Sequence, residues 1–108
     1  MDIYRIKAQH IKNGAHVPAQ YFEIVAGLTP TNFIAQGEWY GVVVDESEYN
    51  PFVLNQDGYC QYAGDRTQLR HCTIVTKPVV VGEIFELTWE DAQDRYGYQV
   101  LAVSRLNT

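Results

Sequence analysis

Long hydrophobic runs, paired cysteines and basic clusters are missing or scarce in this 108-residue chain, and each shortage removes a class of function. No stretch approaches the roughly 18 apolar residues that a membrane-spanning helix needs. The opening residues, Met-Asp-Ile-Tyr-Arg-Ile-Lys, break their apolar positions with charge, so they lack the core of a secretory signal and predict a cytoplasmic protein. Cysteine is limited to Cys60 and Cys72, expected in a reducing compartment as two free thiols. Lys and Arg number 8 against 13 Asp and Glu, a net charge of −5, and the acidic excess is spread over both halves of the chain. Nucleic acid is bound largely by Lys and Arg releasing its counterions, so an acidic chain without a basic run predicts no nucleic-acid partner. The same charge disfavours an anionic membrane surface. A basic protein surface, by contrast, would be attracted at long range.

Several catalytic and ligand motifs are absent as well. There is no GxxxxGK[ST] or GxGxxG loop to cradle phosphate and no GxSxG elbow to present a nucleophile. Structural zinc takes close ligand pairs that fix two corners of the tetrahedron from one turn, and neither CxxC nor HxxxH occurs. A zinc site from Cys60, Cys72 and His10, His16 or His71 therefore competes with a plainer reading of scattered loop histidines. Asp45, Glu46 and Glu48, with Asp57, offer oxygen ligands, yet the segment lacks the central Gly and the length of a calcium loop. No metal and no cofactor are expected.

What is present belongs to an ordinary globular domain: 46% hydrophobic, 19% charged and 13% aromatic residues, enough to build a core without a staple. Length and the absence of repeats or linkers predict one domain over residues 1–108. Turn signals at Asn13-Gly14, Gly27 and Pro30-Thr31-Asn32, Asn50-Pro51, Asp57-Gly58, Gly64-Asp65, Lys77-Pro78 and residues 94–97 recur every ten to fifteen residues, a spacing that suits strands. Tyr4, Ile6 and Ala8 alternate with Arg5, Lys7 and Gln9, and Phe22, Ile24 and Ala26 repeat the period of two. Residues 39–44 are apolar on both parities and read as a central strand covered on both faces. Residues 51–54 and 59–62 flank Asp57-Gly58 and read as a hairpin. Residues 72–76 and 79–81 are rich in β-branched side chains, and residues 84–89 and 98–105 make a second antiparallel hairpin. Helix signals are limited to residues 65–72, with Asp65 as a cap and Leu69 inward, and to the alternative spacing of Tyr21, Phe22 and Val25 within 18–26. The fold class that follows is mainly β: a small antiparallel β-barrel or sandwich of about six to eight strands, with room for one short helix.

Candidate chemistry begins with Cys60, His71 and Asp65, the residue types of a thiolate, its imidazole base and an orienting carboxylate. No signature surrounds either cysteine, and His71 and Cys72 are neighbours that a strand would send to opposite faces. The carboxylates of 45–48 are a second catalytic option, against the plainer reading of a solvated loop. Aromatics are the most unusual feature, with Trp39, Tyr40, Tyr49, Phe52, Tyr59 and Tyr62 in one quarter of the chain. Part of that set must fill the core, and Tyr49, Tyr59 and Tyr62 are expected to be exposed. Together with Asp45, Glu46, Glu48 and Asp57 they would form a tyrosine-plus-acid patch suited to an Arg- and Lys-rich protein surface. The leading expectation is a non-catalytic protein-binding module, in the manner of a small acidic inhibitor or antitoxin-like protein. The alternatives are an enzyme with a barrel pocket using Cys60 and His71 or the 45–48 carboxylates, a small-ligand or carbohydrate binder stacking a ring on Trp39 or Trp89, and a structural subunit of a larger assembly.

Overall fold

The computed structural model describes residues 2–62, 69–89 and 95–106. Eight antiparallel strands follow one another in chain order: β1 (Asp2–Lys12), β2 (Ala15–Leu28), β3 (Trp39–Asp45), β4 (Glu48–Leu54), β5 (Tyr59–Tyr62), β6 (Leu69–Cys72), β7 (Ile84–Trp89) and β8 (Arg95–Arg105). Each pairs with the next, and β1 pairs with β8, so the sheet closes into a barrel. Closure leaves no edge strand with a free row of backbone donors and acceptors. Of the two architectures expected, barrel and sandwich, the chain adopts the barrel, and the one helical element among the described residues is a 3-10 turn at Thr73–Thr76.

The period of two builds the interior. Ile6, Ala8, Phe22, Ile24, Phe52, Leu54, Phe85 and Leu87 all point inward and are buried. Phe22 is the hub: its ring stacks on Phe52 at 5.2 Å, meets Phe85 edge-on at 4.9 Å and lies 6.0 Å from Tyr98. An eight-stranded barrel is just wide enough for side chains to fill, and here the rings fill it. Gly41 faces inward opposite Phe52 and leaves space for that ring, because a Cβ there would lie 2.5 Å from Phe52 Cζ.

The two ends differ. The lower end, where residues 29–38, 55–58 and 73–83 connect the strands, is plugged by buried Leu28, Ala35, Ile74 and Val79. Val79 N donates to Asn32 O at 2.7 Å, and Trp39 Nε1 donates to Ala35 O at 2.8 Å, which ties the plug together. The upper end carries the turns at Asn13-Gly14 and Glu46-Ser47 and opens onto polar side chains. Both Asn13 (φ 53°) and Gly14 (φ 79°) are left-handed, the geometry of a two-residue turn that matches strand twist.

Four segments depart from a strand or helix reading offered by the sequence. Residues 72–76 were expected as strand, but the strand ends at Cys72 because hydroxyls take over the backbone bonding: Thr73 Oγ1 accepts from Glu86 N at 2.8 Å and Thr76 Oγ1 donates to Thr73 O at 2.8 Å. Residues 79–81 form no strand, since Val79 is drawn into the plug. The helical spacing within 18–26 gives way to β2, and of the helical segment 65–72 the described part, Leu69–Cys72, is strand β6. Asp65, the Gly64-Asp65 turn and the Trp89 side chain lie outside the described residues.

Two irregularities shape the barrel. Lys7 pairs with Ala102 and Ala8 with Val100, so Leu101 is an extra residue that bulges outward and reverses the facing of the rest of β8. Val103, not Ala102, consequently packs on the core. In β2, Gln9 pairs with Tyr21 but Ile11 with His16, so residues 17–20 stand opposite His10 alone. Pro18, which has no N–H to give a ladder, lies in this excursion.

Candidate binding surface

Opposite the packed interior, the outer wall of β2, β3 and β4 carries three cross-strand rows. Val25, Tyr40 and Val53 form the first, Glu23, Val42 and Pro51 the second, and Tyr21, Val44 and Tyr49 the third. Tyr40 is 70% and Tyr49 68% exposed, whereas Val44 between Tyr21 and Tyr49 is buried beneath them. The Tyr21 phenol is held above the ordinary tyrosine value, first by desolvation and then by the neighbouring Tyr49 and Glu23. Lys7 Nζ stands 5.0 Å from the Tyr21 ring centroid, and Glu23 is joined to Arg5 at 3.3 Å. Rows 40 and 44 are ~13 Å apart along the strand and the three strands span ~10 Å, from the usual rise and spacing of a sheet. Singly exposed apolar residues are ordinary on a surface, but aromatic and branched side chains in adjacent rows form a patch.

Asp45, Glu46 and Glu48 border this wall at the upper end. By strand parity Asp45 and Glu48 stand on the barrel rim while Tyr49 stands on the wall, and Glu46 occupies the turn with φ 57°. All three carboxylates are exposed and form no ion pair with a described residue. Four of the seven residues singled out from the sequence thus meet here: Asp45, Glu46, Glu48 and Tyr49.

The other three lie elsewhere, so the single tyrosine-plus-acid patch is not assembled. Asp57 is in the β4–β5 loop at the lower end, a full strand length from Tyr49, where Asn55 Oδ1 accepts from Asp57 N at 2.9 Å and Tyr59 N at 3.1 Å. Tyr59 packs edge-on against His71 at 5.3 Å near that same end. Tyr62 was expected to be exposed but turns into the barrel, because β5 pairs it with inward Phe52; its hydroxyl accepts from Arg70 Nη1 at 2.9 Å.

Tyr62 belongs instead to an interior polar layer beneath the upper end, which sequence reasoning missed. Arg70 is buried and stands 5.2 Å from the Tyr96 ring centroid. Buried His10 lies 5.8 Å from the Tyr96 ring and 5.4 Å from Tyr98, and its Nδ1 donates to Gly97 O at 2.8 Å. Burial pushes the Tyr98 phenol up to about 12 against the opposing pull of Arg70, and burial likewise raises Tyr62. The available signal was parity: on a strand, Arg70 shares a face with Cys72.

The remaining candidates resolve geometrically. Cys60 and Cys72 are free, buried and inward; burial, then the hydrogen bond with Cys72, drives the Cys60 thiol well above its ordinary value and keeps it protonated. His71 pairs with Tyr59 on the opposite face of the sheet from Cys60, so its imidazole does not meet that thiol. His16 is on the outside, bonded to Gln99 Oε1 at 2.8 Å. Among the described residues no three His, Cys, Asp or Glu side chains converge on a metal site. Trp39 is half-buried with its indole N–H bonded into the lower plug. Comparison with protein families, curated proteins and solved structures finds no match, so the class is defined by the fold itself: an up-and-down, eight-stranded antiparallel barrel with a filled interior.

Proposed function

We propose that this barrel is a non-catalytic binding module whose β2–β4 wall engages a basic protein surface. The observation that carries the reading is the pair Tyr40 and Tyr49, standing out from a wall of valines beside three exposed carboxylates that form no ion pair with a described residue. Tyrosine combines contact area with a hydroxyl at low entropy cost, which suits the centre of an interface. A wall of this footprint is smaller than the ~800 Å² that a partner usually buries per side, so the contact extends over the rim through Asp45, Glu46 and Glu48. These carboxylates give charge complementarity to Arg and Lys, and the rings give cation–π sites.

A small acidic inhibitor or antitoxin-like protein works in this manner. The outer faces of β1 and β2 carry Arg5, Lys7 and Glu23 while Phe22, Phe52 and Phe85 lie inside, the reverse of a barrel that faces lipid, and this supports a partner in water. Among the described residues no helix is long and apolar enough to cross a membrane. A cytoplasmic setting fits two thiols that remain reduced. The test is affinity capture from the host at low and high salt, with the native protein and a Tyr40→Ser/Tyr49→Ser variant side by side. Retention of a basic protein by the native form alone, weakened by salt, is expected; equal retention by both forms, or no basic partner at either salt, contradicts the proposal.

A further inference from the structure

At the upper end, the β2 excursion opens a cavity of about 460 Å³ between β8, β1 and β2. We infer that it is a binding site for a small organic acid, an anionic head on an apolar body. Its volume is in the range of small-molecule sites. The lining supplies the two cations Lys12 and Arg95, the donor Gln20, and an apolar floor from Val17 and Tyr96; among the described residues no carboxylate lines it, in a chain with a net charge of −5. Behind the Tyr96 ring stands the buried Arg70 guanidinium, 5.2 Å from its centroid, which adds positive potential from within. Among the described residues, Glu86 stands 3.9 Å from Arg95 in an exposed pair, and Asp45 pairs with Gln20 across the β2–β3 ladder.

The opening is built into the backbone. Four residues of β2 stand opposite one of β1, and the excursion is braced by Gln9 Nε2 donating to Val17 O at 3.1 Å and by Glu46 N donating to Ala19 O at 2.8 Å. A bulge that widens a barrel rim and is held open by its own hydrogen bonds is a pre-formed site, which spares the ligand the cost of ordering it. The anionic head is placed between Lys12 and Arg95, where charge-assisted hydrogen bonds are strongest. The apolar body lies along Val17 and Tyr96.

The probe is 8-anilinonaphthalene-1-sulfonate, followed by fluorescence with the folded protein and displaced by octanoate, octanol or inorganic phosphate. Expected are saturable binding, displacement by octanoate well ahead of octanol and phosphate, and affinity lowered roughly tenfold or more in Lys12→Gln/Arg95→Gln, the scale of a lost charge-assisted contact. Lys12 and Arg95 are exposed, so that variant keeps the fold, checked by an unchanged melting curve. A Val17→Asp variant tests the apolar half independently and is expected to lose octanoate. Displacement by octanol as efficient as by octanoate, unchanged affinity in the double variant, or no saturable binding each overturns the inference.

Discussion

Replacing Gly41 by alanine adds one carbon at the tightest point of the barrel. The new Cβ would lie 2.5 Å from Phe52 Cζ and 2.6 Å from the carbonyl oxygen of Glu23. The ring has limited freedom to turn, since it stacks on Phe22 at 5.2 Å and meets Tyr62 edge-on at 6.4 Å. The carbonyl belongs to the β2–β3 ladder and moves only if a strand moves. Overpacking of a close-packed core costs about 1–3 kcal/mol, and two contacts this short place Gly41→Ala in the upper half, about 2–3 kcal/mol. That is a large part of a typical total stability of 5–15 kcal/mol, so Tm falls by on the order of 10 °C. Urea unfolding measures it directly, with an unchanged m value if only the native state is affected. In a Phe52→Leu background the same substitution loses the ring collision but keeps the carbonyl one, so its cost drops by about 1 kcal/mol, the signature of contacting residues. A Gly41→Ala protein within 0.5 kcal/mol of the parent would refute the close approach as described.

Alkaline pH acts through Tyr98, whose folded phenol titrates near 12 while an unfolded one titrates near 10. The neutral form is favoured in the native state, so this contribution is complete below pH 10 and is lost as pH rises towards 12, by about 2–3 kcal/mol in all. Denaturation curves at pH 9 and 11.5 should show that slope, reduced in Tyr98→Phe. Glu46 holds a left-handed φ of 57°, which costs a side chain about 1–2 kcal/mol. After the entropy cost of glycine, Glu46→Gly is expected to raise stability by about 0.5–1 kcal/mol in thermal melts.

Strand content was legible wherever one parity is apolar and the other polar, as in β1, where Ile6 and Ala8 alternate with Arg5 and Lys7. The hairpins at Asp57-Gly58 and between β7 and β8 were marked by turn chemistry and flanking alternation. Residues 39–44 show the limit of that code. Apolar residues on both parities predict burial on both faces, yet Tyr40 is the outward residue of a barrel wall, and an interface residue looks the same as a core residue in sequence. Bulges are equally silent: Leu101 reverses the facing of β8 with no glycine or proline to announce it, and the excursion at 17–20 is marked by Pro18 alone. Of the expected patch, residues 45, 46, 48 and 49 were found together because they share one turn. Asp57, Tyr59 and Tyr62 were misjoined to them because proximity along the chain crosses a whole strand in space.

The proposed wall is tested most directly by the dissociation constant for the captured basic partner, measured for Tyr40→Ala, Tyr49→Ala and the control Val81→Ser, whose exposed side chain lies on the opposite, lower end. The account predicts that each tyrosine variant loses about 2 kcal/mol, a factor of roughly 30 in affinity, with Val81→Ser unchanged. Tyrosine variants that bind as tightly as the parent, or a loss confined to Val81→Ser, would contradict it.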